Sequence, residues 1–111
     1  MKFLMFVCND PNAEPYKPEL DNIGAWVEET QKRKLRLDGN RLRPAADAIT
    51  IKKRQEKIQV VKGPFADKSD WIAGFDLLEC ASQEEAIEIA GKHPMARFGS
   101  IELRALWPFE G

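Results

Sequence analysis

Residues Lys2 to Cys8 read KFLMFVC, an apolar run with one charge at its start. A strand with one wet face alternates apolar and polar residues. This run does not alternate, so both of its faces need cover, the pattern of a central strand. The stretch Ile72 to Cys80, containing GFDLLE, is likewise apolar on more than one face. Together these runs demand a sheet with helices on one side and some further cover on the other.

The chain supplies the helices. Glu19 to Lys34 places Leu20, Ile23, Val27 and Thr30 at helical spacing, with Glu28, Glu29, Lys32 and Arg33 falling largely elsewhere. Trp26 falls off the centre of that stripe, a residue for its edge or for a partner. In SQEEAIEIAGKHP, Ser82 is an N-cap and Glu85 completes a capping box. Early acids suit the N-terminal dipole, Gly91, Lys92 and His93 suit the C-terminal end, and Pro94 stops the helix.

Between the helices, NDPNAEPYKPE reads as a loop and Gly39-Asn40 as a turn. Strands are expected at Ala48–Lys52 and Ile58–Val61, joined by the charged KKRQEK, and again at Ile72–Cys80. Ser100–Leu106 alternates Ile101, Leu103 and Ala105 against Glu102 and Arg104, a half-buried strand. The expected order is β-α-β-β-β-α-β, an α+β single domain over residues 1–111 with two helices on one sheet face. Leaving the other face wet costs about 25 cal/mol per Å², so a homodimer through the open sheet face is expected.

Charge narrows the partners. Seventeen basic and eighteen acidic side chains leave a net charge of −1, which disfavours nucleic acid. The basic clusters QKRKLRL and IKKRQEK are short, flanked by acids, and read as a helix end and a hairpin tip. No apolar run approaches the roughly 20 residues of a membrane span. The opening run ends at Asn9-Asp10-Pro11, short for a secretory segment, and a cytoplasmic protein is expected. Cys8 and Cys80 then read as reduced structural thiols, with a disulfide between them left open.

With those elements in place, the chain resembles the YCII-related group of small bacterial proteins, and within it the DGPF-domain proteins. The resemblance rests on the apolar opening MKFLMFV; on Gly39, Leu42 and Pro44; and on the signature step Gly63, Pro64 and Phe65, followed by Asp67, Asp70, Gly74 and Phe75. It continues through His93, Pro94, Gly99, Ile101, Glu102 and Arg104. The resemblance implies a ferredoxin-like sheet that dimerises as an α/β barrel. Three positions depart from the pattern: Lys62 replaces the signature aspartate, Ser69 stands where a lysine is common, and Ala105 replaces a proline.

Candidate chemistry is sparse. His93 is the only histidine, either a proton-transfer group or a helix C-cap. Asp67 and Asp70 are candidate catalytic partners for it, or turn-capping and solvated residues. Phe65 and Trp71 read as pocket walls for a small-molecule ligand, or as core and interface. Arg104 reads as a carboxylate fork or as the ion-pair partner of Glu102. Nothing resembles a phosphate cradle, a nucleophile elbow or a metal-ligand spacing, so no cofactor and no metal are expected. The expected function is a cofactor-free hydrolase or isomerase working by acid–base chemistry on a small organic anion at a dimer cleft. The alternative is a non-catalytic ligand-binding or regulatory module, which the resemblance links to sigma-factor signalling.

Overall fold

In the computed structural model, which describes residues 1–66 and 71–109, the chain runs β1 (Lys2–Cys8), α1 (Ile23–Lys32), β2 (Arg36–Arg41), β3 (Ile49–Arg54), β4 (Lys57–Lys62), β5 (Ile72–Glu79), α2 (Gln83–Gly91), α3 (Met95–Phe98) and β6 (Ser100–Ala105). Four strands form an antiparallel sheet in the order β2-β5-β1-β6, while β3 and β4 pair only with each other. With the β3–β4 hairpin set aside as an insertion, this is the ferredoxin-like arrangement. β1 is central, as its two-sided apolar character requires.

The register assigns the faces. Phe3 lies opposite Leu78, Met5 opposite Asp76 and Val7 opposite Gly74, with Leu103 and Ile101 on the other neighbour. This face meets the helices: Phe3, Met5, Val7 and Leu78 share one core with Trp26, Ala86 and Ile89. The alternate residues Leu4, Phe6, Phe75 and Leu77 face the other way and remain partly exposed.

Two local readings change. Gly39-Asn40 is not a turn but the middle of β2, paired with Asp76 and Phe75. Composition favours a turn there, yet pairing with β5 supplies the ladder bonds and prevails. Trp26 is not at the rim of its helix but almost fully buried, with its indole Nε1 donating to the carbonyl of Ile89 at 2.7 Å. The first helix is also shorter than its pattern, because Pro18–Leu20 forms a separate single 3₁₀ turn.

The second helix begins as expected. Ser82 Oγ accepts from the Glu85 amide at 3.1 Å, and Glu85 Oε1 accepts from the Ala81 amide at 2.8 Å. Arg33 on the end of α1 reaches Glu85 and Glu88 of α2, holding the two helices side by side. Cys8 and Cys80 are both buried and free. They sit at opposite ends of β1, since the Cys80 amide bonds Met1. Seven strand residues at about 3.3 Å each separate them, far beyond disulfide reach.

The expected KKRQEK connection is mostly strand. The hairpin turns in two residues, Gln55 and Glu56, both at positive φ. Its base closes at the signature step: Gly63, at φ +107°, donates to Ala48 and accepts from Thr50 Oγ1.

Candidate functional site

Three residues far apart in sequence converge on the helix-covered face: Arg36 of β2, Asp76 of β5 and His93 after α2. They line a cavity of about 310 Å³ together with Val7, Trp26 and Met95. Its walls are mostly apolar, so the few polar groups within it are felt strongly.

Asp76 is only 6 % exposed, on a strand face otherwise occupied by Gly74 and Leu78. Arg36 Nε donates to its Oδ1 at 2.7 Å. Burial nevertheless outweighs the guanidinium and raises the carboxyl's pKa above its ordinary value. Gly39 makes the pairing fit, because a β-carbon there would land on Asp76 Oδ1 and on the Arg36 guanidinium. Among the described residues Oδ2 of Asp76 takes no hydrogen bond, which leaves its lone pairs for a ligand.

His93 is positioned from both sides. Its amide closes the end of α2 on Ala90, and Pro94 turns the chain into α3. Asn22 at the start of α1 donates to the Lys92 carbonyl at 3.1 Å, tying the two helices together at this point. The Trp26 ring packs edge-on against the imidazole, with centroids 4.8 Å apart.

The protonation of His93 follows from its contacts. A helix C-terminus favours a charged imidazole by about 0.3–1 kcal/mol. Burial acts against the charge and wins, bringing the pKa down from 6.5 to about 4. The ring is therefore neutral at pH 7. Nδ1 accepts a hydrogen bond from the Met95 amide at 3.0 Å. A backbone N–H can only donate, so the single ring proton lies on Nε2. His93 is a fixed hydrogen-bond donor, and it lines both this cavity and a more polar one of about 650 Å³ beside Glu29, Lys92 and Arg97.

Of the other sequence-nominated residues, the described ones, Phe65, Trp71 and Arg104, do not line the Asp76 cavity. Asp67 and Asp70 lie outside the described residues. Phe65 is 80 % exposed, beneath the Lys52 ammonium at the base of the hairpin. Trp71 packs against Phe6 of the open sheet face. Arg104 also stands on the open face, bonded to Glu102 at 2.7 Å and lying over the Phe6 ring. Among the described residues no cluster of three or more metal-binding side chains forms, and no helix is long and apolar enough to cross a membrane.

Arg36 and Asp76 were not singled out by the sequence reading. A signal for Asp76 existed: in Gly74-Phe75-Asp76-Leu77-Leu78 it shares phase with residues that must face the core. A charge in that phase is buried, and a buried charge needs a partner.

The family model for the YCII-related domain matches residues 1–110. The chain belongs to the YCII-related family. This YCII-related protein is 37 % identical over 68 residues to an uncharacterized protein from Rhizobium meliloti (strain 1021), a match covering 60 % of this chain and 55 % of the relative. The matched segment thus spans about half the length of that curated relative. Among solved structures it is similar to 5-chloro-2-hydroxyhydroquinone dehydrochlorinase from Burkholderia phenoliruptrix, in complex with 2,5-dihydroxybenzoquinone. That likeness has a TM-score of 0.49 and 16 % identity, over 96 % of this chain and 94 % of the other.

Proposed function

We propose that this YCII-related protein is a cofactor-free enzyme that moves a proton on a small organic anion bound between its sheet and helices. The observation that carries the reading is the pairing of opposite roles in one cavity. Asp76 is a buried carboxylate whose raised pKa makes it a better base. His93 is a neutral donor whose Nε2–H stabilises a developing oxyanion without giving up its proton.

The chemistry this suits is enolisation. Asp76 takes the proton from a carbon beside a carbonyl, and the electron pair moves to the carbonyl oxygen. The resulting enolate is held by His93 Nε2–H and by the Arg36 guanidinium. Return of a proton from water to the same carbon completes an exchange, and where the substrate is β,γ-unsaturated its return to the γ-carbon of the conjugated dienolate completes an isomerisation. The mostly apolar walls and the volume of about 310 Å³ favour a substrate of few heavy atoms, such as a small keto acid.

The test is exchange of solvent deuterium into a panel of small keto acids, followed by NMR. The wild type should exchange at least one of them, and Asp76→Asn should slow that exchange by about 100-fold or more, as loss of a general base does. If the wild type binds panel members in thermal-shift assays yet exchanges none, the chain is a ligand-binding module instead.

A further inference from the structure

Arg36 is already matched by Asp76 on the cavity wall, so that pair offers an incoming carboxylate no net positive charge. The cavity holds a second guanidinium, because Arg41 of β2 also lines it. Gly39 fixes the phase of the strand. A β-carbon on it would point at Asp76 Oδ1, so position 39 faces the helices. Arg41, two residues on, faces the same way. Among the described residues its guanidinium makes no hydrogen bond and no ion pair.

The surroundings of Arg41 leave room for a ligand. Across the ladder stands Gly74, and beyond it Val7 of the central strand. A β-carbon at Gly74 would meet the Asn40 carbonyl at 2.8 Å, so a side chain there would crowd β2, and the space beside the guanidinium stays open. On the facing helix, Ile23 and Val27 line the same cavity. Arg41 is exposed and Ile23 is 42 % exposed, whereas Val7, Trp26, Asp76 and His93 are buried. Arg41 and Ile23 therefore mark the mouth, at the edge strand of the sheet, and the buried groups mark the floor. Gly39 lies across from Asp76 and Arg41 across from Gly74, a two-residue step of about 7 Å along the strands. The free guanidinium and the Asp76 carboxylate belong to two ends of one cavity.

We propose that Arg41 is the carboxylate-binding residue at the mouth of this cavity, and that its ligand is a keto acid whose carboxylate and carbonyl are separated by a short apolar chain. This rests on the reading of Asp76 and His93 as the groups that act at the carbonyl end. The carboxylate stays at the wet mouth, where little of its hydration is lost. The carbonyl enters the floor between Asp76 and His93, and Ile23 and Val27 cover the methylenes between. A fork contact from one guanidinium also fixes which end of the molecule goes in first.

Ligand-observed NMR titration of the full chain with levulinate, and with its uncharged methyl ester, tests the assignment. The wild type should bind levulinate about tenfold more tightly than the ester, the size of one charge-assisted contact at a wet site. Arg41→Ala should bind the two alike. Arg41→Lys should keep part of the preference, because it retains the charge and loses the fork. Added salt should shrink the wild-type preference, since the mouth is exposed. Equal binding of acid and ester by the wild type, a preference that survives in Arg41→Ala, or no binding of either compound would overturn the assignment. Deuterium exchange separates it from the enzyme reading. An acid preference that depends on Arg41, in a wild type that exchanges nothing, removes the enzyme reading and leaves the carboxylate site. Exchange that is as fast on the ester as on the acid removes the site and leaves the enzyme.

Discussion

At His93 two influences oppose one another, and their sizes decide the outcome. The helix end offers at most about 1 kcal/mol toward the charged ring, while a fall in pKa from 6.5 to about 4 corresponds to roughly 3 kcal/mol against it. The consequence is a pH dependence of stability. Because the folded pKa lies below the unfolded one, the unfolded chain takes up this proton first as the pH drops. Stability present above pH 6.5 is therefore lost between pH 6.5 and 4, by up to about 3 kcal/mol. Asp76 has the opposite sign. Its folded pKa lies above the ordinary 3.8, so its contribution becomes less unfavourable as the pH falls through that value and offsets part of the loss. Urea denaturation across this range should show a shallower slope in His93→Gln than in the wild type. Equal slopes would mean that the imidazole protonates as readily in the folded state as in the unfolded one.

Among the elements, β2 is the one that matters most for the site and the one least visible in sequence. It is an edge strand of polar residues, RLDGNR, held by pairing with β5. Its Gly39 marks where the Arg36–Asp76 pair needs room. Gly39→Ala should force that pair apart and cost about 1–3 kcal/mol, the range for leaving a buried polar group poorly matched. A denaturation midpoint equal to the wild type would show that the guanidinium moves aside freely. Periodicity and capping made β1, β5, α2 and β6 legible, because each depends on its own residues. Strand β2 depends on a neighbour 33 or more positions away, and a Gly-Asn pair in isolation looks like a turn. Trp26 was misplaced for the same reason: the core it fills comes from α2 and from the sheet, not from its own helix.

For the whole molecule, the order of apolar runs predicts an α+β sheet with two helices, the family resemblance implies its ferredoxin-like form, and the site was readable from neither. Arg36, Asp76 and His93 share no local motif, and only the crossing of β1 between its neighbours and the packing of both helices bring them to one cavity. His93 reads in sequence as a proton-transfer group or a helix C-cap; the structure puts it in the cavity lining, and its tautomer depends on an amide two positions along that no local pattern reveals. The tip of the β3–β4 hairpin holds one more consequence. Gln55 and Glu56 both adopt left-handed backbone, a conformation costly for residues with side chains. Gln55→Asn keeps the charge yet suits the tip better, and it should stabilise the chain by up to about 1 kcal/mol. An unchanged midpoint in urea denaturation would show that the hairpin opens before the rest of the sheet and adds nothing to global stability.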